Sequence, residues 1–128
     1  MEINSPDVLA EVTAVFARYE LALVTNDIGV LDELFCAAPT TIRYGVAENL
    51  HGIEAIRAFR LSRPSSGLQR RLADTVITTY GNDFAIASTL FYRDSAPGKA
   101  GRQMQTWVRM PEGWRVVAAH VSVIDEPT

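Results

Sequence analysis

Apolar residues recur at helical spacing in the first half of the chain and alternate with polar residues in the second half. Residues 5–26 predict one long helix, because a single apolar stripe runs through them: Leu9, Val12, Phe16, Tyr19 and Leu23. The same spacing predicts a short helix over residues 27–35 and a third over 52–63. A short strand at 40–45 precedes the third helix, and four strands follow it, at about 69–80, 83–93, 101–110 and 113–124.

This order of elements determines the expected fold class. Helices that come before a run of strands predict an α+β protein whose three N-terminal helices pack on one face of a curved antiparallel sheet. Such a sheet, curved around a long helix, forms a cone with a pocket inside it. No linker or repeat divides the 128 residues, so one domain over 1–128 is expected.

Composition supports a globular chain and excludes several classes of function. Hydrophobic residues make up 48% and charged residues 21%, which is enough apolar material for a core. No apolar run reaches membrane-spanning length, and the net charge of −3 argues against nucleic acid as a partner. The single cysteine, Cys36, has no internal disulfide partner, so a cytoplasmic location is expected.

Few residues of the chain suit metal or covalent chemistry. There is no Gly-rich phosphate loop, no cysteine pair and no metal-binding spacing around the only histidines, His51 and His120, so no metal and no cofactor are expected. Lys99 is the only lysine among 12 basic residues and lies in a loop, which disfavours lysine-based covalent catalysis. The others are arginines, whose planar fork suits carboxylates. Genomic base composition accounts for most of this excess, so position decides which arginine matters.

Two positions are candidates for side chains that point into the cone. Tyr19 lies in the apolar stripe of the first helix, either as a core tyrosine bonded to a backbone carbonyl or as a proton donor aimed into the pocket. Arg43 lies inside the short strand, either at a solvated edge or facing a polar cavity. Inside a cavity it needs an anionic partner, which a substrate carboxylate supplies through paired hydrogen bonds.

Arg60 and Arg63 fall on the apolar stripe of the third helix, in its last turn. One interpretation is that they cap the free carbonyls there; the other is that they form a second carboxylate clamp, for a substrate with two negative ends. On the strand at 101–110, Gln105 and Trp107 share a face that reaches the same cavity. These residues are therefore candidate substrate-binding groups.

On the last strand, alternation puts His120 and Ser122 on one face with Trp114, Val116 and Ala118. His120 is either a core residue with satisfied hydrogen bonds or a pocket acid–base group that binds substrate beside Ser122, and no nucleophile elbow accompanies the pair. Apolar residues fill the opposite face as well. Both faces are therefore expected to be covered, one by helices and the other by a dimer partner.

Three segments carry a resemblance to a known family: RYGVAEN from Arg43, QTWVR from Gln105 and GWRVVAAHVS from Gly113. Together with the order of elements, they make about residues 10–124 similar to the AtzH-like family, which includes the oxalurate-catabolism protein HpxZ. The resemblance implies the cone-shaped fold shared by nuclear transport factor 2, ketosteroid isomerase and the SnoaL-like polyketide cyclases.

The resemblance also implies a function. It implies a homodimeric bacterial protein that removes CO₂ from small anionic ureas, such as 1,3-dicarboxyurea or 1-carboxybiuret, in cyanuric acid or oxalurate catabolism. The catalytic pair that it implies is Tyr19, as proton donor, and Arg43, as carboxylate ligand. The alternatives are a carboxylate-binding accessory subunit of an amidohydrolase and an isomerase that uses Asp74, the only acidic residue in a strand interior, as its base.

Overall fold

The computed structural model describes residues 1–127. Its helices are α1 (Pro6–Val24), α2 (Ile28–Leu34) and α3 (Ile53–Ser62). Its strands are β1 (Ile42–Tyr44), β2 (Asn49–His51), β3 (Arg71–Tyr80), β4 (Phe84–Tyr92), β5 (Lys99–Met110) and β6 (Gly113–Asp125). The predicted elements are all present, with ends that differ by about two residues at most, the usual variation of such boundaries.

The α+β class is confirmed, and the sheet departs from a purely antiparallel one at a single pair. Its strands lie in the order β2-β1-β6-β5-β4-β3, and β1 and β6 are the neighbours that run parallel. The chain leaves α2 alongside β6, where Phe35 bridges Val116 in parallel, and β1 continues in that direction. β2 has three residues, too few to produce an alternating pattern, and the sequence does not predict it.

The core lies between the helices and the concave face of the sheet, here called the inner face. Four of the five residues of the predicted α1 stripe are buried against it, while Leu9 is half-buried and its neighbour Val8 is buried. The residues of this core from the rest of the chain are Leu31, Leu34, Phe35, Ile53, Ile56, Ala85, Ala87, Trp107, Trp114 and Val116. Within residues 1–127, no helix is long and apolar enough to cross a membrane.

A bulge in β6 exchanges the two faces of that strand. Val116 pairs with Trp107 and Ala118 with Thr106, so the residue between them, Val117, is left out of the ladder. One extra residue shifts the alternation by one position. The predicted common face of this strand is therefore wrong beyond the bulge, where three residues point away from the helices: Ala118, His120 and Ser122.

The opposite side of the sheet, here called the outer face, is open in this chain. Met104 and Phe84 are 54% and 53% exposed there. The Tyr44 ring lies between the two histidines, with its centroid 5.6 Å from that of His51 and 6.2 Å from that of His120. Both histidines therefore lie outside the cone.

A glycine on β5 makes room for an aromatic ring on the inner face. Phe91 on β4 pairs with Gly101, and its ring lies where a Cβ of residue 101 would be. The guanidinium groups of Arg70 and Arg93 lie over the same ring, 4.5 and 4.8 Å from its centroid. The absence of a side chain at Gly101 therefore allows the Phe91 ring, with the guanidinium groups of Arg70 and Arg93 over it, to lie close to β5.

Replacing Gly101 with alanine is expected to lower the free energy of unfolding by about 1–3 kcal/mol, because the new methyl group forces the buried Phe91 ring aside. Gly29→Ala is the control, since its Cβ meets only Asp27 Oδ1, at 3.6 Å, within a helix that favours alanine. Chemical denaturation of both variants and the wild type measures the difference. Equal stabilities of the two variants would contradict this placement of Phe91.

Candidate functional site

Tyr19 points from α1 into the cone. Helical spacing places it on the inner stripe, and the residue is only 6% exposed. Its ring lies near those of Phe35, which follows α2, and Trp107 on β5, with centroids 6.2 and 6.3 Å away. Aromatic packing therefore holds the phenol ring within the interior.

Arg43 faces the interior rather than a solvated edge. It pairs with Leu50 on β2 and Ala119 on β6, both packed against the core, and its side chain is 15% exposed. Its Nη1 donates a hydrogen bond to Glu48 Oε1 at 2.8 Å, and its guanidinium lies 5.2 Å from the Phe59 ring centroid. The anion that faces Arg43 in this fold is thus Glu48.

The loop between β1 and β2 holds Glu48 against Arg43. The Gly45 amide donates to the Glu48 carbonyl at 2.9 Å, and Glu48 Oε2 accepts from the Ala47 amide at 3.1 Å. A Cβ on residue 45 would overlap the Glu48 carboxylate. Glycine at this position therefore leaves the space that the ion pair occupies.

Arg60 is buried in an ion pair with α2. Its side chain is 4% exposed, and its Nη1 donates to Asp32 Oδ1 at 3.0 Å. The guanidinium also lies 4.2 Å from the Phe35 ring centroid. Burial lowers the pKa of the Arg60 guanidinium, while the Tyr19 phenol and the Asp32 carboxylate act in the opposite direction. Its contacts are thus with a carboxylate and a ring, and not with the last carbonyls of α3.

Arg63, which directly follows α3, reaches the same interior. Its Nε and Nη2 are buried and have no hydrogen-bond partner among residues 1–127. Burial lowers the pKa of this guanidinium, and the charges of Arg43 and Arg70 lower it further. The Tyr19 phenol and the Glu48 carboxylate act against these effects. Arg63 therefore lies within electrostatic reach of both predicted catalytic residues.

Two arginines to which the sequence pattern assigned no place in a pocket also enter the cone. Arg70, just before β3, has a side chain only 1% exposed, with Nε donating to Glu20 Oε2 at 2.7 Å and Nη2 to Gln103 Oε1 at 3.0 Å. Arg93, just after β4, has a buried Nε without a partner in the described part of the chain. Burial lowers the pKa of Arg93, as do Arg70 and Arg63, whereas Glu20 and Tyr19 raise it.

The alternation of inner and outer positions along β4 and β3 places both of these arginines on the inner face. The inner positions of β4 are Ala85, Ala87, Thr89 and Phe91, so position 93 continues the inner face. Leu72 on β3 pairs with Phe91, and Arg70 lies two residues before it. Charged residues at strand ends are usually solvated, which is why the pattern alone did not point to them.

Gln103, Gln105 and Trp107 occupy successive inner positions of β5 and are 2%, 1% and 0% exposed. The Trp107 indole donates to Gln105 Oε1 at 3.1 Å. The Nε2 atoms of both glutamines have no partner among residues 1–127. The wall of the cone formed by β5 thus carries buried amide donors.

Other candidate residues lie away from Tyr19. His120 is exposed on the outer face, and Ser122 Oγ there accepts a hydrogen bond from Arg102 Nε at 3.1 Å. Asp74 is exposed in a bulge of β3, at a positive φ of 52°. The extra residue in each strand turns these side chains out of the cone. The expected pocket positions of His120 and Ser122 are corrected accordingly.

The interior is a cationic site around a phenol. Its buried groups without partners in the described residues include Nε and Nη2 of Arg63, Nε of Arg93 and Nε2 of two glutamines, all of them donors. An open cleft of about 560 Å³ has Arg70 and Arg93 on its wall, together with Asp94. Donors and excess positive charge suit a ligand that only accepts hydrogen bonds, which is an anion.

Comparisons with known proteins identify the relatives of this chain. The AtzH-like family model matches residues 1–127. A protein of unknown function from Pectobacterium atrosepticum, assigned to the DUF3225 family, is 65% identical, with a TM-score of 0.94 over 96% of this chain and 95% of that one. A cystatin-like fold protein from Burkholderia xenovorans is 53% identical, with a TM-score of 0.95 over 99% of each chain.

A more distant structure shows the fold alone. It is a nuclear transport factor 2-like superfamily protein from Salmonella enterica, 24% identical, with a TM-score of 0.70 over 95% of this chain and 94% of that one. No curated protein matches the chain. The resemblance read from the sequence and the expected fold are both confirmed.

Glu20→Ala is expected to lower the free energy of unfolding by about 3–5 kcal/mol, because it leaves the Arg70 guanidinium buried without its counter-charge. Glu33→Ala is the matched control. Glu33 binds Arg18 through two hydrogen bonds on the surface, where an exposed pair contributes about 0–1 kcal/mol. Urea titration of both variants tests this, and equal losses of stability would contradict the buried position of the Arg70 pair.

Proposed function

The chain belongs to the AtzH-like family, and on this premise we propose that it decarboxylates small N-carboxylated ureas without a cofactor. The proposed reaction converts 1,3-dicarboxyurea into urea-1-carboxylate and CO₂. Tyr19 is the proton donor, and Arg43 binds the departing carboxylate. The observation that carries the proposal is a buried phenol, that of Tyr19, in an interior where buried nitrogens of Arg63 and Arg93 have no hydrogen-bond partner among residues 1–127.

The reaction requires only that the protein bind an anion and supply one proton. A carbamate loses CO₂ when its N–C bond breaks, the bonding electron pair goes to the nitrogen, and that nitrogen takes up a proton. The Tyr19 hydroxyl supplies this proton, and the resulting phenolate regains one from water. The surrounding guanidinium groups hold the anionic substrate beside this hydroxyl, so the protein contributes electrostatics and position rather than a covalent intermediate.

Arg43 suits the departing carboxylate because only part of its guanidinium is engaged. Its ion pair with Glu48 runs through Nη1, and the Phe59 ring lies beneath the group. A carboxylate binds best to two parallel N–H groups of the fork. Glu48 therefore orients the guanidinium, and the remaining N–H groups of Arg43 bind the substrate.

A carboxylate-binding protein that does not turn its ligand over is the second candidate. Arg43 and Arg60 already form ion pairs with carboxylates, those of Glu48 and Asp32. Arginines in this interior can therefore bind a carboxylate group without catalysing a reaction of it. Proteins of the ketosteroid isomerase type share the fold. The base that such an isomerase would need in this chain, Asp74, lies exposed outside the cone, which weighs against that alternative.

Tyr19→Phe is expected to slow CO₂ release from freshly prepared 1,3-dicarboxyurea by about 10²–10⁴-fold while substrate binding is retained, because only the proton donor is lost. Arg43→Ala is expected to weaken binding as well as turnover. Tyr44→Phe, which removes a hydroxyl on the outer face, is the control and should leave the rate unchanged. A coupled assay of released CO₂ measures all four proteins.

Two results, one from this assay and one from a binding measurement with the same substrate, decide between the candidates. Background rates in the wild type and in every variant would rule out the decarboxylase. Saturable binding of the substrate without its loss would then favour the carboxylate-binding protein.

We propose further that a second copy of the chain covers the outer face of the sheet. Large apolar side chains there are exposed in the single chain: Val76 at 56%, Phe84 at 53% and Met104 at 54%. A groove beside Met104 is lined by Ile42, Ile86 and Ala118. Such a surface favours association because burying it removes apolar area from water.

Met104→Glu is expected to raise the dissociation constant of this dimer at least about tenfold, because it places a charge in the apolar contact. Leu21→Glu is the matched control, since Leu21 is 63% exposed on α1, away from the sheet. Sedimentation velocity over a concentration series distinguishes them. A monomeric wild type, or a dimer that survives Met104→Glu, would contradict the proposed contact.

A further inference from the structure

We propose that the Gln105 amide binds the carbonyl oxygen of the substrate, and that Trp107 is the positioning residue that orients this amide. The inference rests on the proposed function in that the substrate is a carboxylated urea. It deepens that proposal by assigning a group of the protein to the neutral urea carbonyl, which neither Arg43 nor Tyr19 binds.

The orientation of the Gln105 amide follows from its hydrogen bond to Trp107. The Trp107 indole N–H can only donate, and it donates to Gln105 Oε1 at 3.1 Å. The amide oxygen is therefore engaged by the indole, and Nε2 with its two hydrogens is directed away from it. Both residues are buried, which protects this bond from competition by bulk water.

The Nε2 atom of Gln105 is a buried donor without a hydrogen-bond partner among residues 1–127. Such a group is unfavourable, because it has given up its hydrogen bonds to water and gained none in the protein. A ligand that completes it must supply an acceptor. A single neutral donor matches a carbonyl oxygen, whereas the planar fork of an arginine matches a carboxylate.

Cross-strand pairing places Gln105 in one row with Arg43 on the inner face. Ala119 on β6 pairs with Arg43 on one side and with Gln105 on the other. Two strand spacings therefore separate Arg43 from Gln105, which is roughly 10 Å between their Cα atoms. Ala119 has only a methyl side chain, so no bulky group separates the two along the row. A small ligand that is bound to Arg43 and extends along this row meets the Gln105 amide.

Trp107 also contacts the proposed proton donor. Its ring centroid lies 6.3 Å from that of Tyr19, and the planes of the two rings are at 87° to each other. One buried indole thus packs against the phenol and holds the Gln105 amide through its N–H group. The position of the amide relative to the phenol therefore depends on Trp107.

A donor at the urea carbonyl assists the reaction as well as the binding. When the N–C bond to the departing carboxylate breaks, its electron pair goes to the nitrogen and is shared with the adjacent carbonyl, whose oxygen gains negative charge. A hydrogen bond from Gln105 Nε2 is strongest at that moment and stabilises this charge. CO₂ leaves as the bond breaks, Tyr19 gives the nitrogen its proton, and the carbonyl is restored.

Malonamate and 3-methylbutanoate are matched probes for this contact, because they have the same shape and one carboxylate each, and only malonamate has an amide carbonyl. Neither contains a carbamate, so their binding is measured without turnover, by calorimetry. The wild type is expected to bind malonamate at least about tenfold more tightly than 3-methylbutanoate. Gln105→Leu, which is similar in size and lacks the amide, is expected to abolish this preference by weakening the binding of malonamate alone.

Trp107→Phe tests the positioning role. It keeps an aromatic ring beside Tyr19 and removes the indole N–H, so the Gln105 amide is free to turn over, and the preference for malonamate is expected to fall at least about threefold. Trp114→Phe is the matched control, since the Trp114 indole donates to Glu11 Oε1 at the start of β6, and it should leave the preference unchanged. A loss of packing alone would weaken both probes in parallel and leave their ratio intact.

Folding of the variants is part of the test and is followed by thermal unfolding. Gln105→Leu leaves the Trp107 N–H without its acceptor, which lowers stability. The double variant Gln105→Leu/Trp107→Phe removes both partners of the bond, so it is expected to fold and to lack the preference. A wild type that binds both probes equally, or a preference that survives in Gln105→Leu or in the double variant, would overturn the inference.

Turnover distinguishes the failure of this inference from the failure of the decarboxylase. With 1,3-dicarboxyurea, Gln105→Leu is expected to lower kcat by about 10²–10³-fold. A preference for malonamate that depends on Gln105, in a protein that releases no CO₂, supports the binding of a carbonyl group by Gln105 and refutes the decarboxylase. Release of CO₂ at an unchanged rate in Gln105→Leu supports the decarboxylase and refutes the role of the amide.

Discussion

Buried guanidinium groups are the constraint on which the rest of this structure depends. Four of the five arginines directed toward the interior of this small cone have a counter-charge or an aromatic ring beside the guanidinium group, since an unpaired cation in low dielectric is unfavourable; among residues 1–127, Arg63 has neither. Helices supply Glu20 and Asp32, and a loop supplies Glu48. Aromatic rings lie against four of the groups, which adds cation–π attraction to the ion pairs.

The backbone adapts to these side chains at a few positions. Gly45 leaves space for the carboxylate that faces Arg43, and Gly101 leaves space for the ring beneath Arg70 and Arg93. Bulges in β3 and β6 let the sheet curve around the helices and turn polar side chains outward. Polar strand residues such as His120 therefore lie on the outer face, and the interior is lined by the arginines and by the amides of β5.

Not every guanidinium group in the interior has a counter-charge, and this bears on the binding of a ligand. Arg43, Arg60 and Arg70 have carboxylate partners, whereas buried nitrogens of Arg63 and Arg93 have no hydrogen-bond partner among residues 1–127, which favours the binding of an anion. In the proposed reaction, binding of the anionic substrate there brings the nitrogen of the carbamate close to the Tyr19 hydroxyl. The same excess of positive charge thus supports both halves of the proposed reaction, the binding of an acidic urea and the protonation of its nitrogen.

Local periodicity in the sequence determined the helices, most strands, the α+β class and the position of Tyr19 on the apolar stripe of α1, because a buried face recurs with the period of its helix or strand. The same periodicity left Arg43 open between a solvated edge and the interior, and the tertiary structure decided for the interior. The tertiary structure decided which charges meet. Arg70 and its partner Glu20 are 50 residues apart, and no local pattern records such a contact. It also decided the face of His120, because a single bulge residue reverses every later position and only the pairing with β5 reveals it.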